Sequence, residues 1–275
     1  MAPVESGKRS WRALLGRRRP LLATDVASHG RWHEAASHAR DAYATADPFP
    51  HAVLDRFLDR DVLDAVVAEV PDWTDRSGWL CYDTDLPDGR VAQRGKLHIS
   101  DEQKLGATTR ALLHELRSAA FLETLETLTG IPNLIPDPHN VGGGLHLCLP
   151  GSVLRVHADF SKHPTWGLDR RLNLILYLNP GWEESWGGNL ELWRRDMSEC
   201  RRRIVPEANR VVVFDTTRTS FHGHPAPVRC PAGQARKSLA LYYYTNGRPA
   251  DEDATAHSTL WQDVPDERSA PTGPR

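Results

Sequence analysis

The sequence predicts an α+β protein with a mainly β core, a sandwich or jelly roll buttressed by N-terminal helices. Three observations carry this reading. Helical periodicity is confined to the first half of the chain. Short β-rich runs, about eight of them, fill the part after Gly144. Pro-Gly, Asn-Pro-Gly, Gly-Gly and Pro-Ala-Gly punctuation separates those runs at regular spacing. Helices first and strands second set the helices against one sheet rather than between parallel strands. The 275 residues suit one domain over 24–262, with a helical part (24–143) and a jelly-roll core (144–247).

The elements follow in order. Residues 25–45 carry Trp32, Ala35, Ala36, Ala39 and Ala42 at loosely helical spacing and predict a short peripheral helix. ADPFPHAVLD (46–55) is punctuated by two prolines and continues as an entry strand through His51, Val53 and Leu54. An amphipathic helix from Asp59 to Val70 has Val62, Leu63, Val66, Val67 and Val70 on one stripe, with Asp59 or Asp61 to cap it and Pro71 to end it. The next stretch, to Ile99, is loop-rich with strand potential around Trp79–Tyr82. A second helix runs from Ser100 or Asp101 to about Arg117. Ser118 caps a third helix, and Gly130 suits its C-terminal stop. IPNLIPDPHNVGGG is a linker. Strands are then expected at 145–149, 152–157, 172–178, 189–193, 203–205, 210–214, 219–222 and 238–244.

Charge and cysteine content narrow the function classes. A formal net charge of −2 gives no bulk attraction to nucleic acid or an anionic membrane. No apolar run approaches the roughly 20 residues of a membrane helix. Cys81, Cys148, Cys200 and Cys230 form no C-x-x-C pair, and the N-terminal apolar stretches are too short for a signal peptide. A cytoplasmic protein with reduced thiols is expected, acting as monomer or homodimer. Residues 1–23, with Lys8, Arg9, Arg12, Arg17, Arg18 and Arg19, are expected to be a basic disordered tail, and 263–275 a Pro-rich one.

His157 and Asp159 stand two apart at the end of the run SVLRVH, so on extended backbone both side chains reach the same ion. No other histidine of the chain has a carboxylate two positions later. SFHGHP offers His222 or His224 from another strand as third ligand. Two imidazoles and a carboxylate occupy one face of an octahedron and leave the opposite face open, as a mononuclear iron(II) oxygenase requires. The same donors also suit zinc or manganese.

HADF, LNLILYLNPGWEESWGGNLELW, VVVFDT, SFHGHP and RKSLALYYYT, in that order over about residues 144–245, resemble the core of the iron(II)/2-oxoglutarate-dependent dioxygenases, in particular the prolyl 4-hydroxylase-like group. The resemblance implies a double-stranded β-helix with the metal at one end. It implies His157, Asp159 and His222 as iron ligands, with His224 as the alternative. It implies Arg236 as the partner of the distal 2-oxoglutarate carboxylate, with Lys237 as the alternative; strand alternation lets only one of the two face the pocket. Tyr177 matches a tyrosine that touches that carboxylate, and Asn173, on the same face, adds a polar contact. The expected reaction uses iron(II), 2-oxoglutarate and O2 to hydroxylate an unactivated C–H bond, releasing succinate and CO2. The carboxylate at Asp159 favours hydroxylation over halogenation. Two departures stand out: the spacing from His222 to Arg236 is long, and Leu149 replaces a tyrosine found in some relatives.

The substrate is expected over the metal, within reach of Arg155, Lys96, His98, Trp166 and Trp193. A small molecule or a carrier- or peptide-linked group fits a cytoplasmic enzyme. Two competing readings are a cupin-like zinc or manganese isomerase or hydrolase, which needs no carboxylate anchor, and a non-catalytic jelly-roll binding module.

Overall fold

The fold is described from a computed structural model covering residues 26–265. The predicted tail 1–23 lies outside these residues, as does 266–275. Asp263, inside the predicted C-terminal tail, pairs with Arg90 at 2.7 Å and Arg155 at 3.0 Å.

The first helix lying wholly within the described residues, α1 (His29–Ala44), is not peripheral. It buries Trp32, Ala36 and Tyr43. Trp32 stacks on Phe57 with ring centroids 4.8 Å apart, and its Nε1 donates to the Phe57 carbonyl at 2.7 Å. The alanine-rich stripe obscured this, because small side chains give a weak apolar signal even on a buried face. β1 (His51–Leu54) follows, then α2 (Arg60–Ala68), which buries Val62, Leu63 and Val66. Asp59 precedes α2 without capping it; its carboxylate accepts from Ser28 and Arg31 instead.

β2 (Leu80–Cys81) and β3 (Thr84–Asp85) pair with β4 (Val91–Ile99), a nine-residue strand where a loop was expected. Gln93, Arg94, Lys96 and His98 mask the alternation that marks a strand, since here the polar side chains do not all face water. The expected helix from 100 to 117 is broken. Asp101 caps a single turn at Glu102–Lys104, and α3 starts afresh at Ala107 and ends at Glu115. The cause is Glu69, whose carboxylate accepts from the Thr108 and Thr109 amides at 2.9 and 2.8 Å and so caps the new N-terminus. Ser118 and Gly130 bound α4 (Ala119–Thr129) as expected: the Ser118 hydroxyl accepts from the Phe121 amide, and Gly130 has φ +73°.

β5 (Ile135–Pro136) crosses the expected linker, and β6 (Gly144–Ala158) continues through what the sequence divides into two runs. β7 (Asp169–Tyr177), β8 (Leu190–Trp193), β9 (Cys200–Ile204), β10 (Val211–Asp215), β11 (His222–His224), β12 (Arg236–Thr245) and β13 (Leu260–Trp261) follow within the described residues. The antiparallel sheet runs β1-β10-β7-β12-β6-β11-β8-β9, with β4 and β13 also on β6. Long β6 makes this sheet curl. Residues 144–148 pair with β12, while Leu154 and His157 pair with β11. Between them Gly151, at φ +84°, lets the strand turn from one layer into the other.

Period-two alternation separates core from cavity. Leu172, Leu174 and Leu176 of β7 and Leu239 and Leu241 of β12 join the core formed with the helices. Their neighbours Asn173, Ile175, Ser238, Ala240 and Tyr242 line a cavity of about 430 Å³ between the two layers. The helices thus back the major sheet, and its other face is left for chemistry.

Candidate metal centre and co-substrate pocket

Cross-strand pairing brings the candidate ligands together. His157 on β6 is the register partner of His222 on β11, and Asp159 follows β6 by one residue. One ligand atom from each lies within 4.8 Å of the other two. His157 Nε2 is 3.5 Å from Asp159 Oδ1, and His222 Nε2 is 3.5 Å from Asp159 Oδ2. This is the one such group of metal-binding side chains among the described residues.

The donor set fits a divalent ion. His157 Nδ1 lies 2.8 Å from the Arg155 carbonyl, and His222 Nδ1 lies 2.9 Å from the Ser220 carbonyl. Each carbonyl needs a proton on Nδ1, which leaves both Nε2 lone pairs for a metal. His222 is pushed down to about 4, by burial first and by His157 second, so it stays neutral near pH 7. Burial alone would raise the Asp159 carboxyl, but Arg170 beside it, with His222 and His157, holds it well below the usual carboxylate range.

Asp159 is also held in place. Its Oδ2 accepts from Asn173 Nδ2 at 2.7 Å and lies 3.1 Å from Arg170 Nη2, which leaves Oδ1 as the free donor. The Arg170 guanidinium is sandwiched between Phe160 and Tyr242, 4.5 and 3.5 Å from the ring centroids. It also donates to Asn173 Oδ1 at 2.6 Å. Asn173 therefore sits beside the Asp159 carboxylate and not beside Arg236, the position the sequence suggested. Four residues of extended strand separate it from Tyr177, about 13 Å along β7. Sequence reasoning missed Arg170 and Tyr242. The one available signal was the cationic start of the otherwise apolar run DRRLNLILY.

Arg236 faces the cavity and is 6% exposed. Its Nε donates to the Gly188 carbonyl at 2.6 Å, and its Nη2 lies 3.2 Å from the Tyr177 hydroxyl. Lys237 points to the other side, where Nζ lies 5.4 Å from the Trp73 ring centroid. His224 also lines the cavity, but its Nε2 meets Cys148 Sγ at 3.6 Å, and it is not in the group of converging ligand atoms. Burial pushes the Tyr177 phenol up, so it remains a donor. Gly188 is required by this arrangement: it has φ +68°, and a Cβ there would lie 2.9 Å from Arg236 Cδ.

Of the five candidate substrate residues, Lys96 and His98 line the cavity, and three do not. Arg155 shares a strand face with His157, but its long stem carries the guanidinium to the Val91 carbonyl and Asp263. Trp166 is 43% exposed and stacks on His163. Trp193 lies on the outer face of β8, packed with Val156, Ala158, Met197 and Phe221. Alternation and a register shift at Leu192/Trp193 turn it away from the cavity.

These buried histidines predict a pH dependence of folding. His98 and His222 are pushed down to about 4, chiefly by burial, and His146 lies well below its ordinary value for the same reason. In the unfolded chain each titrates near 6.5. Between those values the unfolded chain binds more protons, so stability falls as pH drops, by up to about 1.4 kcal/mol per pH unit for each histidine. Asp215, pushed up to about 6 by burial, opposes this over part of the range. Urea titrations of the metal-free protein should show the midpoint falling between about pH 7 and pH 5. A constant or rising midpoint contradicts the assignment.

Residues 143–244 match the family model described as the 2OG-Fe(II) oxygenase superfamily. The fold is similar to that of a prolyl hydroxylase from Trichoplax adhaerens, solved in complex with a hypoxia inducible factor oxygen degradation domain peptide fragment. That match has 17% identity and a TM-score of 0.56, and covers 81% of this chain and 94% of the other. A Pseudomonas putida prolyl-4-hydroxylase matches with 20% identity and a TM-score of 0.53, over 76% of this chain and 98% of the other. SnoN, a non-heme alpha ketoglutarate dependent epimerase from nogalamycin biosynthesis, matches with 15% identity and a TM-score of 0.50, over 84% and 97%. The curled antiparallel core is the double-stranded β-helix of these proteins. With that fold, the matching family model and a His-Asp-His group fit for a divalent ion, residues 143–244 form a 2OG-Fe(II) oxygenase domain, with iron(II) and 2-oxoglutarate as cofactor and co-substrate.

Proposed function

We propose that this enzyme hydroxylates an unactivated C–H bond of a small-molecule or carrier- or peptide-linked substrate, releasing succinate and CO2. His157, Asp159 and His222 are the iron ligands in this reading, and Arg236 and Tyr177 hold the distal carboxylate of 2-oxoglutarate. The observation that carries it is the Arg236–Tyr177 pair, buried in the same cavity as the His-Asp-His group. A metal isomerase or hydrolase has no use for a buried guanidinium at that depth, and a binding module has none for the triad. The helical part and the β core act as one catalytic unit, a reading supported by the hydrophobic core that runs from Val26 to Tyr243. Action in the cytoplasm, as monomer or homodimer, is part of the same proposal.

The iron, when bound, supplies the redox chemistry with dioxygen; the chain supplies binding, orientation and shielding. Asp159 stays ionised because Arg170 and Asn173 satisfy Oδ2, so the carboxylate need not turn away to find a partner. Arg236 presents Nη1, and Nη2 beside the Tyr177 hydroxyl, to a carboxylate while the Gly188 carbonyl fixes Nε. The Tyr177 phenol, kept protonated by burial, would donate a hydrogen bond to the same carboxylate. Phe160, Tyr242 and Trp261 wall the cavity with rings that exclude water beside the reacting atoms.

Incubation with iron(II), 2-oxoglutarate and air should yield succinate, and His157→Ala should not. Equal succinate from both proteins would overturn the proposal. Gly188→Ala should weaken 2-oxoglutarate binding by about fivefold or more, because the new Cβ displaces Arg236, while iron binding persists. Isothermal titration of the two ligands separately checks this.

A further inference from the structure

One group of polar side chains in the cavity has no part in the metal centre or the Arg236–Tyr177 anchor. Lys96 on β4 is the register partner of Cys148 on β6, which is in turn the partner of Arg236 on β12. His98, His146 and Ser238 form the next row on the same face. Strand spacing sets Lys96 about 10 Å from Arg236 between backbones. Tyr177 lies beyond β12, on the opposite flank of Arg236. A carboxylate gripped by Arg236 and Tyr177 is therefore drawn away from Lys96.

This second flank lacks partners. Among the described residues the Lys96 ammonium has no hydrogen bond and no ion pair. His98 Nδ1 and His146 Nε2 are buried without a hydrogen-bond partner, in side chains 3% and 7% exposed that line the cavity. Buried polar atoms are normally satisfied, so unpaired atoms gathered on one cavity wall mark a place where a ligand completes the bonding. Burial pushes the Lys96 ammonium below its ordinary value, a cost that an adjacent anion removes.

Charge points the same way. The lining cations are Lys96, Arg170 and Arg236, and Asp159 is the one lining carboxylate. A divalent metal and the 2-oxoglutarate dianion cancel each other, so the loaded cavity stays cationic. A neutral substrate would leave that excess buried.

We propose that the organic substrate is itself an anion, a small acid whose carboxylate or phosphate group sits on Lys96 beside His98 and His146. This rests on the oxygenase reading above and names the substrate class for the same site. Tyr82, stacked on His98 at 4.8 Å, closes the outer edge of the subsite.

The test uses full-length protein, anaerobic and saturated with iron(II) and 2-oxoglutarate, watched through its visible charge-transfer band. Sodium acetate and inorganic phosphate are titrated separately at constant ionic strength. One or both should perturb the band saturably, and the tighter of the two names the group. Lys96→Gln should weaken that anion by about tenfold or more and 2-oxoglutarate by less, and Lys96→Arg should restore anion binding. Absence of a saturable effect from both anions overturns the proposal. So does an effect that Lys96→Gln leaves unchanged, or a loss of 2-oxoglutarate affinity as large as the loss of anion affinity. A wild-type protein with no band at all would instead sink the oxygenase reading.

Discussion

Arg236→Met raises the dissociation constant for 2-oxoglutarate by on the order of a hundredfold or more, while metal binding without 2-oxoglutarate is retained. The guanidinium is 6% exposed, and Tyr177 and the Gly188 carbonyl fix its orientation. A carboxylate entering this pocket gives up its water, and only charge-assisted bonds compensate. Methionine fills similar space but leaves that carboxylate buried and unpaired. Lys237 offers no rescue, because it lies on the opposite face of β12 against Trp73. Titration calorimetry with 2-oxoglutarate reads the effect directly, and a change of less than about fivefold would remove Arg236 from the anchor role.

Asp159→Ala has two separable consequences. The first is loss of tight metal binding, since the sole carboxylate of the group is gone. The second is a loss of folding stability of about 3–5 kcal/mol in the metal-free protein, because Arg170 keeps its charge in the interior without a counter-ion. Arg170 is 1% exposed and its Nη1 already has no partner, so it has little room to relax. Asp159→Ala combined with Arg170→Met should recover part of the stability and none of the metal affinity. Chemical denaturation of the wild type, Asp159→Ala, Arg170→Met and the double variant checks the stability claim, and metal titration checks the affinity claim. A double variant no more stable than Asp159→Ala alone would show that the pair is not coupled as described.

Legibility in the sequence followed the physics of each element. The β core could be read because β7 and β12 alternate over residues 172–176 and 238–242, with leucines toward the helices and Asn173, Ile175, Ser238, Ala240 and Tyr242 toward the cavity. The H-x-D pair could be read because two positions on a strand share a face. β4 was hidden because its inward side chains are Lys96 and His98, polar residues serving a cavity, and a pattern of apolar against polar cannot reveal them. Trp193 and Arg155 misled for a different reason: spacing gives a face, but a register shift and a long flexible stem decide where the side chain ends. Arg170 was invisible because its role depends on partners at 159, 173 and 242, which only the sheet register brings together.

The most direct measurement of the central claim is an anaerobic titration of the protein with iron(II) and then 2-oxoglutarate, recorded in the visible range. A complex of 2-oxoglutarate with the iron held by His157, Asp159 and His222 should produce a charge-transfer band that saturates with 2-oxoglutarate, is absent in His157→Ala and needs far more 2-oxoglutarate in Arg236→Met. No band at saturating iron and 2-oxoglutarate, or a band indifferent to both substitutions, would contradict it.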